Sequence, residues 1–274
     1  MVVDFHTHIF PDKIAAKTIA LLSEKANIPA YSDGTLSGLQ QELVRADVQV
    51  GVALPVLTRP ESFDGILRFA KGVNEGFFKG EHRVYSFAGM HPDCEDVEEK
   101  MALLRASGFK GIKLHPDYQQ TYIDDERYVR ILNAAIDEDL IVVTHSGVDV
   151  GYPEPVHCTP ERAVKALERL KGDVKIVFAH YGACDMYGAV YELLAGKNVY
   201  FDTSYVLDEI GKPTFEKILV KHGDDRVLFA TDSPWKSVAS MREAFRQMGL
   251  PDATERKILS ENALRLLGED FRKP

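Results

Sequence analysis

Short apolar runs recur along the chain at residues 2–6, 48–54, 84–90, 110–114, 140–145, 174–180, 198–202 and 226–231. They are apolar on both faces rather than strictly alternating, the pattern of parallel strands covered by helices. Between them the apolar positions step by three and four, which predicts helices over 12–26, 61–79, 95–107, 126–138, 160–171, 185–195, 213–222, 236–248 and 254–267. Thr159-Pro160-Glu161 marks a capped helix start, and Gly108, Gly172 and Gly249 sit where helix ends favour a left-handed residue. Eight β-then-α units in one chain predict an α/β fold of the (β/α)8 TIM-barrel type, with residues 1–274 as a single domain. An open doubly wound sheet is the runner-up, disfavoured because no Gly-rich phosphate turn follows the first strand. Residues 27–47, with Pro29, Asp33-Gly34 and Gly38, look like an insertion after the first helix that could lid the active face.

Composition narrows the class of partner. With 274 residues, 45% apolar and 27% charged, the chain has the make-up of a globular domain rather than a disordered one. The formal charge of −9 disfavours nucleic acid and anionic membrane as partners. Cys94, Cys158 and Cys184 are odd in number and form no CxxC pair, so buried or loop thiols in a reducing cytoplasm are expected. No signal-peptide pattern opens the sequence, and no apolar run is long enough for a membrane span.

The polar residues at the strand ends carry the chemistry. His6 and His8 end the first run, Arg59 follows the second and His91 the third. Lys113 and His115 end the fourth, His145 the fifth, His180 the sixth and Asp202 the seventh, and Asp232 follows the eighth. Catalytic groups of a barrel come from these C-terminal ends. Side chains two apart share one side of a strand, so His6 and His8 can share one cation. The combination with His145, His180 and Asp232 is much more telling than the dipeptide spacing alone.

Five segments carry a resemblance. They are Asp4-Phe5-His6-Thr7-His8 with Pro11 beyond, Gly111-Ile112-Lys113-Leu114-His115-Pro116, Thr144-His145-Ser146-Gly147, Phe178-Ala179-His180-Tyr181-Gly182 and Ala230-Thr231-Asp232-Ser233-Pro234-Trp235. In this order they resemble the amidohydrolase superfamily, most closely the branch that contains aminocarboxymuconate-semialdehyde decarboxylase and related hydrolases. The resemblance implies that His6, His8, His145 and Asp232 hold a divalent metal, with Zn the first choice and Mn or Fe as alternatives. It implies that His180 stands beside a metal-bound water or the substrate. Asp232 would then take and return a proton, and His180 would polarise the scissile bond.

Lys113 has three readings: a carboxylated bridge to a second metal, a cation for substrate, and a structural ion pair. His115, Arg59 and His91 are candidate substrate-binding residues, and Asp202 is a candidate acceptor that orients a ligand histidine. Tyr152 and Trp235 are candidate pocket walls, and His157 is a loop histidine that could reach the same face. His222 closes a helix, where a cation would suit the dipole.

The leading functional reading is a metal-dependent hydrolase that attacks a small-molecule amide, lactone or ester-like bond. The alternative is metal-dependent non-oxidative decarboxylation of an unsaturated or aromatic acid. A metal-dependent nuclease fits less well, since Lys113 stands where those enzymes place Glu. A histidinol-phosphatase-like enzyme fits less well too, since that family usually ends with a late Asp-x-His, whereas Asp232 here is followed by Ser233-Pro234. The expected partner is a small molecule, with an anionic one allowed despite the net charge, and a homo-oligomer is left open.

Overall fold

The computed structural model describes residues 1–77, 81–268 and 271. Its strands are β1 (Val3–Thr7), β2 (Val50–Ala53), β3 (Arg83–Ser86, resumed at Ala88–Gly89 beyond Phe87), β4 (Gly111–Leu114), β5 (Ile141–Thr144), β6 (Ile176–Phe178), β7 (Tyr200–Asp202) and β8 (Val227–Leu228). Each pairs in parallel with the next in sequence. The ring closes between β1 and the end of β8: Phe5 N donates to Phe229 O at 2.9 Å, and Asp232 N to His6 O at 2.8 Å. This is the (β/α)8 barrel that the eight apolar runs predict.

The helices are α1 (Asp12–Ala26), α2 (Leu36–Arg45), α3 (Phe63–Glu75), α4 (Val97–Ala106), α5 (Glu126–Asp137), α6 (Pro160–Leu167), α7 (Tyr187–Ala189, extended by a π turn over Val190–Leu194), α8 (Lys212–His222), α9 (Val238–Gln247), α10 (Asp252–Arg256) and α11 (Asn262–Leu267). The Thr159 side chain accepts from Arg162 N, with Pro160 in the first turn, as the capped start predicts. The helix expected over 61–79 runs from Phe63 to Glu75; positions 78 and 79 lie outside the described residues. Gly108 and Gly249 take left-handed φ values, whereas Gly172 does not, because α6 has already ended at Leu167.

Residues 27–47 need a correction. They contain α2, whose Leu39 and Leu43 are buried and pack over Gly51, so this helix covers the outer wall of the barrel at β2. The helices that border the cavity at the strands' C-terminal end are instead α1 and α3.

Two apolar clusters hold the barrel. One fills its interior with Val3, Phe5, Val52, Phe87, Val143 and Val177, among others, and is plugged by Leu264, Leu267 and Phe271. The other lies between strands and helices and includes Leu39, Ile112, Leu114, Ile131 and Phe245. Ile112 and Leu114 therefore face the helices, and Lys113, between them, faces inward. Each fully buried large apolar side chain is worth roughly 1.5–3 kcal/mol. All three cysteines are free and buried.

His222 does not act as a helix-end cation. Its ring is buried, stacks on Phe201 with centroids 4.0 Å apart, and accepts from Gly196 N through Nδ1 at 3.2 Å. Burial, with Arg226 nearby, pushes its pKa down to about 4. The folded protein thus holds a neutral ring that the unfolded chain protonates below its ordinary value of 6.5. Its contribution is fully present above pH 6.5 and is lost as pH falls toward 4. Urea unfolding should show a loss of about 2 kcal/mol from this residue between pH 7 and about 4.5, at 1.36 kcal/mol per unit. His222→Phe, which keeps the stack, should remove that part of the pH dependence; an unchanged dependence contradicts the assignment.

Candidate metal centre and its cavity

The first feature of the site is an irregularity in β1. Asp4 pairs with Gly51 and Thr7 with Ala53, so three steps along β1 oppose two along β2. This bulge lets Val3 and Phe5 fill the barrel while His6 and His8 still point to its mouth, which strict alternation would forbid. His180, Tyr205 and Asp232 also carry positive φ values of 59°, 68° and 68°. Such backbone is costly for residues with side chains and recurs at functional sites. Here hydrogen bonds hold it: His180 N to Asp202 Oδ1, Tyr205 N to Thr231 O, and Asp232 N to His6 O.

Hydrogen bonds fix the protons on two imidazoles. His6 Nδ1 donates to Asp202 Oδ2 at 2.8 Å, and His8 Nδ1 donates to the Leu54 carbonyl at 2.9 Å. Burial, reinforced by Lys113, holds the His6 imidazole well below the usual histidine range, so it is neutral. Both Nε2 lone pairs then face one point. They are 3.2 Å apart, and Asp232 Oδ1 lies 3.1 Å from His8 Nε2 and 3.5 Å from His6 Nε2. Ligand atoms about 2.1 Å from a shared tetrahedral ion would stand about 3.4 Å apart. Three proton-free acceptors at this spacing repel one another unless a cation joins them, and an N, N, O donor set suits a divalent metal.

His145 stands one step away. Its Nδ1 is 2.9 Å from His180 Nε2, and it is not part of the tight three-residue group. His180 Nδ1 is anchored by the Ser204 carbonyl at 3.1 Å. The His145 Nε2 and Asp117 Oδ2 atoms are buried, 3.7 Å apart, and each lacks a hydrogen-bond partner. With its proton on Nε2, His145 would turn it toward Asp117 and leave Nδ1 as a bare lone pair beside His180. These orphaned atoms therefore also fit a cation at the floor. A second group of donor atoms, from His115, His145 and Asp149, lies within 4.8 Å.

Lys113 is fully buried, and its Nζ stands 2.9 Å from His6 Nε2, against the same point that the three ligand atoms face. Burial pushes its pKa down to about 8, against the opposing pull of Asp202, Asp232 and Asp149, so the cation persists at neutral pH.

These groups form the floor of a cavity of about 990 Å³. One wall is a run of stacked rings: His145 on His115 at 4.3 Å, His115 on Tyr118 at 3.8 Å, and Tyr118 beside Tyr152 at 5.1 Å between centroids. Tyr152 and Trp235 line the cavity, as their places in the sequence suggest.

Two expected substrate residues do not reach it. Arg59 is exposed and lies outside the lining, because the chain turns into the 3-10 turn Pro60–Ser62 and carries its side chain outward. His91 is buried away from the lining, where its Nδ1 accepts from Asp93 N at 3.1 Å and shapes the loop after β3. His157 also stays out of the cavity and donates through Nδ1 to Asp117 Oδ1 at 2.9 Å. Tyr118, Asp149, Asp117 and Ser204 were not singled out by spacing. Their signal is only that each follows a strand end by a few residues.

Asp202 is the hub behind the floor. Besides His6, its Oδ1 accepts from His180 N, Ser204 N and Ser204 Oγ. Carboxylates that orient a ligand histidine are worth about 10–100-fold in metal affinity. Asp202→Asn should weaken divalent-metal binding by that factor in a chelator competition; unchanged affinity would show that Asp202 does not orient His6.

The amidohydrolase family model matches residues 3–268. No curated protein matches by sequence. Among solved structures, an uncharacterised TIM-barrel protein from Bordetella bronchiseptica superposes with a TM-score of 0.75 at 18% identity, over 97% of this chain and 98% of its own. The 2,6-dihydroxybenzoate decarboxylase from Rhizobium gives a TM-score of 0.69 at 16% identity, over 98% and 99% of the two chains. A dihydroxybenzoic acid decarboxylase from Polaromonas, solved with manganese and 2-nitroresorcinol, gives 0.70 at 14% identity, over 100% and 98%. At these identities the solved structures establish the shared barrel, and the family model covers the five strand-end segments together. The chain belongs to the amidohydrolase family.

Proposed function

We propose that the protein is a metal-dependent decarboxylase of a small aromatic or unsaturated carboxylic acid. The observation that carries this reading is Lys113, a buried cation set against the three-ligand cluster at the floor of an aromatic-walled cavity. The similarly folded Rhizobium and Polaromonas proteins are described as dihydroxybenzoate decarboxylases, which favours this chemistry over hydrolysis.

In this reading His6, His8, Asp232 and His145 would hold the ion, either Mn, as in the Polaromonas structure, or Zn. When bound, the ion supplies positive charge that anchors an anionic oxygen of the substrate and steadies negative charge as it builds. Lys113 binds the substrate carboxylate. The stacked rings from His115 to Tyr152 hold the planar body of the acid and keep water from the reacting carbon. The bond from carbon to carboxylate breaks with its electron pair left on carbon and CO2 departs; the proton that replaces it is one that His180 takes up on Nε2 from solvent and passes to the carbon, which returns the ring to its neutral form with Nδ1 still on the Ser204 carbonyl. Ser204 and Asp202 hold His180 for that transfer.

Hydrolysis is the second reading, favoured by the Asp232 carboxylate, which lies among the metal-binding atoms where it could accept a proton from an attacking water. One experiment separates the two. Metal-reconstituted protein is given a panel of aromatic and unsaturated acids and a panel of amides, lactones and esters, and CO2 and hydrolysis products are read side by side. CO2 from the acids supports the proposal; products from the second panel alone overturn it. Lys113→Met should lower kcat/KM for the acid by about 10–100-fold, the worth of one charged hydrogen bond of roughly 1.5–3 kcal/mol.

A further inference from the structure

The cavity is far larger than the reactive end of the substrate needs. A cavity of about 150 Å³ holds benzene, whereas this one measures about 990 Å³. The histidines, Lys113 and Asp232 occupy only its floor. Its upper part is bounded by α1, by Ile66 and Phe69 of α3, and by Val150 in the loop after β5.

The packing of α1 is unusual for an amphipathic helix. Ile14, Thr18, Leu21 and Leu22 recur at helical spacing and all line the cavity. Yet Ile14 is 50% exposed and Leu21 61%, and Ala15 alone of the helix's 15 residues is fully buried. Val150, across the opening, is 47% exposed. A mainly apolar stripe that faces a cavity and leaves Ile14 and Leu21 half-exposed is a surface for an apolar ligand. Charge gives the ligand a direction. Lys113 at the floor is buried, whereas Glu61, Asp64 and Arg68 of the lining are all exposed at its outer edge.

We infer that the substrate carries an extended apolar group beyond its reactive carboxylate, and that α1 is the element that binds it. This rests on the decarboxylase reading for the carboxylate and goes beyond it in naming the ligand class: an aromatic acid with an alkyl or aryl extension. The head lies on Lys113 and the metal ligands, the ring along Tyr118 and Tyr152, and the extension between α1 and α3.

Trp235 makes the test direct, because it is the chain's single tryptophan and lines the cavity. Metal-loaded full-length protein is titrated with benzoate and with 4-alkylbenzoates from ethyl to hexyl, and binding is read by Trp235 fluorescence. Affinity should rise about two- to fourfold per added methylene, the value of burying one CH2 in full or in part. Ile14→Ser and Leu21→Ser, at exposed positions, should each flatten that slope relative to benzoate on the same variant. Affinity independent of chain length overturns the inference, and so do variants that keep the wild-type slope. If a second copy of the chain covers α1 instead, Leu21→Ser changes the sedimentation coefficient and leaves the slope intact, which also overturns it. The two readings fail separately. CO2 release from short acids with a flat slope removes only the inference, and a steep slope without CO2 release removes only the decarboxylase reading.

Discussion

Protein carrying His6→Ala or Asp232→Asn, purified beside the wild type in metal-containing buffer, is expected to hold no divalent ion and to lose activity by about a thousandfold or more. The size follows from what an ion contributes: several kcal/mol of charge stabilisation, of which about 4 kcal/mol already equals a thousandfold. His6→Ala removes one of three acceptors that otherwise stand 3.1–3.5 Å apart, and Asp232→Asn keeps an oxygen there but takes away the negative charge that balances the ion. His6 is the more damaging position, because its loss also strands Lys113 and the Asp202 carboxylate, both buried and both partnered by that ring. Elemental analysis and activity are measured on the same preparations, with circular dichroism to establish folding. Full metal content in both variants would sink the assignment of these residues as ligands.

Gly147→Ala should be the most destabilising single change near the site. Gly147 has φ of +82°, and a Cβ there would stand 2.1 Å from Cys184 N and 2.4 Å from Cys184 O. Both are backbone atoms and cannot swing aside. The loops after β5 and β6 are tied at this point: Cys184 N donates to Ser146 O at 3.0 Å, and Val148 N to Cys184 O at 3.1 Å. A methyl group must push them apart, and they carry His145 and His180. Left-handed strain of about 1–2 kcal/mol and overpacking of about 1–3 kcal/mol add to roughly 2–5 kcal/mol. At about 2–4 °C per kcal/mol for a chain of this size, Tm should fall by roughly 10 °C. Metal affinity should fall with it, since His145 and His180 lose their spacing. A Tm within about 2 °C of wild type would show that the loops separate without cost.

The eight strands were legible because a strand buried on both faces must be apolar on both, whatever its neighbours are. Helix α2 was not. Its turn-like opening, with Pro29, Asp33-Gly34 and Gly38, masks Leu39 and Leu43, whose burial depends on β2 lying beneath them. The site was legible where a residue ends a strand and shares its parity with the barrel interior, as Lys113 does between Ile112 and Leu114. It failed at Arg59, where the turn Pro60–Ser62 carries the side chain outward, and at His91, whose Nδ1 folds back onto Asp93 N. The bulge in β1 was invisible too, because Phe5 and His6 can both face inward only when β2 supplies two residues against three.

What the sequence by itself determined is the number of βα units and the positions of the polar residues at their ends. Both are local consequences of strand periodicity and of where apolar runs stop. Only the tertiary structure decided which polar residues meet. His6 reaches Asp202 across 196 positions, and His8 reaches Asp232 across 224. Those contacts exist because β8 closes onto β1, a non-local event that short-range spacing does not encode. The tertiary structure also decided that α1, which the sequence shows only as a helix, borders the opening at the strands' C-terminal ends, with Ile14, Leu21 and Leu22 on the cavity.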